Sequence, residues 1–199
     1  MKLLAFSDLH RNVDIARDLL RLSAEADVLI GAGDFATNGI GATDTLDILA
    51  GSDVPVLVVH GNHDDPDEIS RLCNQRDNLI YLHGSTTNVC GRMFFGLGGE
   101  IPARNEHPWN VFETEDRAAE MLSTCPEGVI LISHTPPFGI ADQQADGVHE
   151  GSGAIHDAIQ RINPPLHLCG HIHNAWGTCG NIASTRVCNL GPTANWFSL

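Results

Sequence analysis

Residues 54–64 read Val54-Pro55-Val56-Leu57-Val58-Val59-His60-Gly61-Asn62-His63-Asp64. A continuous aliphatic run halted by glycine and a burst of polar side chains has the pattern of a strand buried on both faces, its carboxyl end opening onto something polar. The pattern occurs twice upstream: Lys2 to Phe6 halts at Ser7-Asp8-Leu9-His10, and Val28-Leu29-Ile30 runs into Gly31-Ala32-Gly33-Asp34. Between these runs, Ile15, Leu19, Leu22 and Ala26 recur at helical spacing across residues 12–26. Residues 43–50 put Leu46, Leu49 and Ala50 on one side of a second helix. The opening third therefore predicts β-α-β-α-β, a parallel sheet covered by helices.

Working outward, residues 78–82, 86–90 and 93–97 are short strand-like runs, and residues 98–111 carry no periodicity and read as a loop. A helix over 113–124 faces inward with Ala118, Met121 and Leu122. Val129-Ile130-Leu131-Ile132 is a buried strand ending at Ser133-His134. A second loop covers 135–151, and Ser152 caps a helix running to Ile162. Leu166 to Cys169 ends in Gly170-His171-Ile172-His173, with two more short strands near 180–183 and 185–189. No repeat or linker interrupts the chain, so residues 1–199 are expected to form one domain.

Composition narrows the function. Hydrophobic residues make up 42% of the 199 and charged residues 18%, which excludes a disordered chain. The formal charge of −14, with Lys2 the only lysine, argues against a protein that coats nucleic acid through Lys and Arg. Small molecules are the expected partners. The apolar run at the start is too short for a secretion signal, and no stretch approaches the ~20 apolar residues of a membrane span. The six cysteines form no C-x-x-C pair. The expectation is therefore a cytoplasmic protein with reduced thiols.

Five strands end in Asp, Asn or His, and in open α/β sheets ligands bind at the carboxyl ends of strands. Asp8 and His10 are two apart, as are His171 and His173, so extended backbone would project each pair from one face. Asp8, His10, Asp34, Asn62, His134, His171 and His173 offer only oxygen or imidazole nitrogen, a set suited to Mn, Fe or Zn rather than Ca. Seven donors exceed the needs of one ion. Two ions sharing a bridging carboxylate would use them all, and such a pair clamps a phosphoryl group.

The ordered blocks D-x-H, G-D, G-N-H-D, a lone His and G-H-x-H, from Asp8 to His173, resemble the calcineurin-like metallophosphoesterase superfamily. Residues 133–139, 170–173 and 189–192 are similar to the small Icc-related predicted phosphoesterases and to metallophosphoesterase-domain proteins. The resemblance implies an α/β (α+β) fold, a four-layer αββα sandwich of two mixed β-sheets flanked by helices. It implies that Asp8, His10 and His173 hold one divalent ion and Asn62, His134 and His171 the other, with Asp34 bridging. Manganese is expected, with iron, zinc, cobalt or nickel as alternatives. His63 would protonate the leaving oxygen, and Asp64 would orient its imidazole. The activity implied is hydrolysis of small phosphodiesters, cyclic nucleotides among them, by in-line attack of hydroxide held between the ions. A non-catalytic protein-binding scaffold and a metal-dependent nuclease are the alternatives.

Two branches of the superfamily fit poorly. Gly33-Asp34 runs into Phe35-Ala36-Thr37-Asn38-Gly39 without the Arg-bearing motif of protein phosphatases. Tyr81, the only tyrosine, is not placed to serve as the metal ligand of purple acid phosphatases. Asn174 and Leu190 depart from the nearer subfamily. Trp109, Phe138 and Trp176 read as packing residues. Of the remaining histidines, only His107 and His149 lie in the long loops and could face the site.

Overall fold

The computed structural model describes all 199 residues. Its first half runs β1 (Lys2–Phe6), α1 (Val13–Ser23), β2 (Val28–Ala32), α2 (Thr43–Leu49), β3 (Val56–Val59), α3 (Pro66–Cys73) and β4 (Leu79–Tyr81). The second half runs β5 (Ser85–Val89), β6 (Arg92–Leu97), α4 (Glu115–Ser123), β7 (Ile130–Ser133), α5 (Gly153–Ile162), β8 (Leu166–Cys169), β9 (Cys179–Ile182), β10 (Thr185–Asn189) and β11 (Asn195–Ser198). One turn of 3₁₀ helix, His173–Ala175, follows β8.

The strands form two sheets, and β11 returns from the second half to join the first. The first has the order β11-β1-β2-β3-β4, with β1 to β4 parallel and β11 antiparallel at the edge. The second has the order β5-β6-β7-β8-β10-β9, parallel from β6 to β10 and closed by antiparallel β5 and β9.

The two-residue period of a strand sorts the apolar side chains into layers. Leu3, Ala5, Ile30, Leu57 and Val59 meet Phe94, Ile130, Ile132, Leu166 and Leu168 between the sheets. Leu4, Phe6, Leu29, Val56 and Val58 point the other way, onto Leu19 of α1, Leu46 and Leu49 of α2 and Ile69 of α3. On the far side, Phe95, Leu97, Leu131 and Val187 pack on Leu122 of α4 and on Ile155 and Ile159 of α5. The result is helix, sheet, sheet, helix, with each buried aliphatic side chain contributing about 1.5–3 kcal/mol.

Helix starts follow local chemistry. Asn12, Thr114 and Ser152 each accept a hydrogen bond from the backbone N–H three residues on, at 3.1, 3.1 and 3.2 Å. Asp65 caps α3, with Pro66 at its first position. Sequence periodicity does not reveal α3, because Ile69 is its one fully buried side chain. It also misses β11, where Phe197 alone turns inward. No helix is long and apolar enough to cross a membrane.

One expectation is overturned. Cys179 and Cys188 face each other across the antiparallel β9–β10 pair and form a disulfide, with Cα atoms 4.2 Å apart. Strand register, not sequence spacing, brings them together. Cys73, Cys90, Cys125 and Cys169 are free.

Candidate metal centre

The carboxyl ends of β1, β2 and β3 in one sheet meet those of β7 and β8 in the other, and all seven expected donors converge there. Asp8, His10, Asp34 and His171 have φ values of 55, 43, 57 and 69°. These are left-handed conformations, uncommon for residues with a Cβ and characteristic of functional sites. The backbone is therefore not extended at Asp8 and His10, which corrects the expected same-face projection. Instead, the Asp8 N–H donates to Gly33 O and the His10 N–H to Asp34 O, both at 2.9 Å, zipping the loops after β1 and β2 together. Close approach also requires glycine twice. A Cβ on Gly61 would collide with the Asp34 carboxylate, and one on Gly170 would lie 2.6 Å from Asp8 Oδ2.

Asp34 sits at the middle. Its Oδ2 is 3.4 Å from His10 Nε2 and its Oδ1 3.5 Å from His134 Nε2. On one side, Asp8 Oδ1 is 3.9 Å from His173 Nε2, and donor atoms of Asp8, His10 and His173 all lie within 4.8 Å of one another. On the other, Asn62 Oδ1 is 3.1 Å from both His134 Nε2 and His171 Nδ1. His63 also offers a ring nitrogen within 4.8 Å of the His10 and Asp34 donors.

Neighbouring groups aim these donors. His134 Nδ1 donates to Ala32 O at 2.8 Å and His10 Nδ1 to Ala36 O at 3.2 Å, so each Nε2 presents its lone pair to the centre. His10 Nε2 is buried without a partner. Asp8 accepts from the Trp176 indole at 3.0 Å, from the Ser7 hydroxyl, and from the His171 N–H at 3.1 Å.

Charge is unbalanced. Burial, then Asp64 and Asp8, hold the Asp34 carboxyl well above the usual carboxylate range. Burial and then His171 push His134 well below the ordinary imidazole value, so it stays neutral. The only basic side chains within 4.0 Å of the Asp8 and Asp34 carboxylates are histidines, and no lysine or arginine reaches them. Crowded carboxylates, neutral imidazoles and an orphaned buried Nε2 together suit divalent cations with nitrogen and oxygen ligands.

Two expected roles meet a different geometry. The buried Asp64 carboxylate accepts from the backbone N–H of Asp34, Gly61 and Ala36, at 2.9, 2.7 and 2.7 Å. It ties the loop after β2 to the loop after β3 rather than orienting His63. Burial raises its carboxyl to about 6, against the pull of those donors. His63 is held by the turn at 37–40: the Asn38 N–H donates to its Nδ1 at 3.0 Å, and the Gly39 N–H to its carbonyl at 2.9 Å. Burial, then His10, His171 and His173, push this ring down to about 4. With Nδ1 accepting, the neutral ring carries its proton on Nε2, which can donate a hydrogen bond to a phosphate oxygen. Full proton transfer to a leaving group would require breaking the Asn38 contact.

Some contributors escape the sequence. Asn38 acts through its backbone alone. Trp176 serves as a donor to Asp8 beyond any packing role, and nothing in its spacing signals this. Trp109 stacks on His63 at 4.2 Å between centroids, and His107 on Trp109 at 5.1 Å. His149 instead closes its own loop on the buried Asp142, at 2.6 Å.

Among known proteins, UPF0046 protein K07C11.7 of Caenorhabditis elegans is 29% identical, over 96% of this chain and 71% of its own. The protein named "Probable glycerophosphodiester phosphodiesterase GpdQ" of Arcobacter nitrofigilis is 25% identical, over 80% of this chain and 61% of its own. The crystal structure of TT1561 of Thermus thermophilus shares the fold at 21% identity, with a TM-score of 0.77 over 96% of this chain and 88% of that one. A family model matches residues 1–175, a span that holds all seven candidate metal donors, and the chain belongs to the calcineurin-like phosphoesterase family.

Proposed function

We propose that this phosphoesterase is a two-metal phosphodiesterase acting on small phosphodiesters. The carrying observation is Asp34, whose two carboxylate oxygens lie 3.4 and 3.5 Å from histidines of two different donor groups, as a bridging ligand would. Asp8, His10 and His173 would hold one ion, Asn62, His134 and His171 the other, with manganese first among divalent ions that accept these donors. Two such ions supply Lewis-acid polarisation of a phosphoryl oxygen and an activated water near neutral pH.

The residues around them favour a diester. Recognition of a dianionic monoester commonly adds Arg or Lys clamps. Here Arg11 is engaged by Asp44 at 2.8 Å and Arg104 by the Glu150 carbonyl at 2.6 Å. A monoanionic diester needs no such clamp. The His63 Nε2–H donates to an oxygen of the phosphate on which charge develops. The GpdQ relative, named for a phosphodiesterase activity, supports the same reading.

The test is turnover of bis-p-nitrophenyl phosphate and of p-nitrophenyl phosphate by metal-stripped protein refilled with Mn²⁺. Diester hydrolysis should dominate, vanish with a chelator, and fall by about 10²-fold or more in Asp34→Asn, as loss of a key electrostatic group does elsewhere. Faster monoester turnover would overturn the diester preference, and undiminished activity in Asp34→Asn would overturn the bridging role.

A further inference from the structure

We propose that Glu100 is the positioning residue for one half of the centre: a single buried carboxylate that aims both Asn62 and His171 and so sets the affinity of the ion they would hold. The inference rests on the two-ion reading above and deepens it.

Glu100 lies in the 98–112 segment, only 3% exposed, and has two arms. Its Oε2 accepts from Asn110 Nδ2 at 2.7 Å and from the Arg104 N–H at 3.1 Å. Asn110 Oδ1 in turn accepts from Asn62 Nδ2 at 2.9 Å. Each direction in this relay is forced. A carboxylate only accepts, so Asn110 must give it the amide nitrogen and turn its oxygen to Asn62. Asn62 must meet that oxygen with its own nitrogen, which leaves Asn62 Oδ1 facing the centre.

The second arm reaches the imidazole. Glu100 Oε1 is 3.5 Å from His171 Nε2. It favours the tautomer with the proton on Nε2 and the lone pair on Nδ1, the atom lying 3.1 Å from Asn62 Oδ1. One charge therefore selects the ligating atom of two residues from two different sheets.

The backbone reinforces the arrangement. The Glu100 N–H donates to Val111 O, the Glu113 N–H to Glu100 O and the Val111 N–H to Asn62 O, each at 3.0 Å. The segment is thus pinned to the residue it aims. Electrostatics adds a reason for a carboxylate at this position. Asn62, His134 and His171 are neutral ligands, so this half shares Asp34 as its only ligating anion, whereas the other half also has Asp8. Glu100 supplies a second negative charge beside that half without occupying a coordination position.

The experiment is titration of the metal-free 199-residue chain with Mn²⁺, following free Mn²⁺ by its EPR signal and the bound pair by its spin-coupled spectrum. The wild type should bind two ions. Glu100→Gln cannot serve both Asn110 and His171 in the required sense, so one of its two dissociation constants should rise 10- to 100-fold. The other should stay within about twofold, and the coupled spectrum should appear only with excess metal. Asn110→Ala cuts the relay to Asn62 and leaves the His171 arm, and should produce a smaller rise in the same constant. Circular dichroism checks that each variant is folded. Two unchanged constants in Glu100→Gln, or two constants weakened alike, would overturn the positioning role. A wild type that binds a single ion would overturn the two-ion reading itself, an outcome seen before any variant is made.

Discussion

His167 of β8 is fully buried, and its titration should be readable as stability. Ser133 Oγ donates to Thr135 O at 2.5 Å, so it can only accept from His167 Nε2–H, at 2.7 Å. His167 Nδ1 is buried without any partner. Protonation would add a charge and turn the unpaired Nδ1 acceptor into an orphaned donor, and burial pushes this imidazole down to about 3, against an ordinary value of 6.5. Between those values the unfolded chain binds more protons than the folded one. The contribution is therefore intact above pH 6.5 and is lost as pH falls toward 3. At about 1.36 kcal/mol per pH unit, the two units from 6.5 to 4.5 cost about 2.7 kcal/mol.

The variant to compare is His167→Gln, whose amide can still donate to Ser133 but does not titrate. Urea unfolding of both proteins at pH 7 and pH 4.5, with chelator present throughout, removes any contribution from metal release. His60, also pushed down to about 3 by burial and then His83, is common to both and cancels in the difference. Wild type should lose about 2.7 kcal/mol more than the variant over this interval. Parallel losses would refute the reasoning.

Two further outcomes follow from the centre and the disulfide. Divalent metal should raise the unfolding temperature, because it neutralises Asp8 and Asp34, which no lysine or arginine reaches. At a thousandfold excess over the dissociation constant the gain is about 4 kcal/mol, and an unchanged calorimetric transition on chelation would count against a metal site. Iodoacetamide applied to denatured, unreduced protein should modify four cysteines, with Cys179 and Cys188 labelled only after reduction, as intact mass would show.

Legibility followed the kind of force involved. Strands β1, β2, β3, β7 and β8 were readable because burial on both faces demands continuous apolar runs. The candidate metal donors were readable because Asp, Asn and His are conspicuous where such runs stop. What escaped depends on tertiary contacts. Asn38 contributes a backbone N–H that any residue would carry. Glu100 and Asn110 lie in a segment without periodicity, and only the register that pins Val111 to Asn62 shows their purpose. The family resemblance made Asp64 the partner of His63, but its carboxylate accepts from three backbone donors instead. Cys179 and Cys188 pair through strand register, which spacing does not encode.

The convergence of donors from both sheets has a consequence for assembly. Asp8 accepts from the backbone of His171, 163 residues away, so the two halves of the chain must be built and docked before the full donor set exists. Contacts of such sequence separation form slowly, since loop closure precedes any reward. A cation cannot template the early steps. It can only trap the docked pair, resisting slippage of one β-layer over the other. Its affinity is accordingly a gauge of how firmly the halves are joined, and a cavity cut at Ile130 or Leu166, between the layers and at the strand ends opposite the donors, would surface first as leakage of metal.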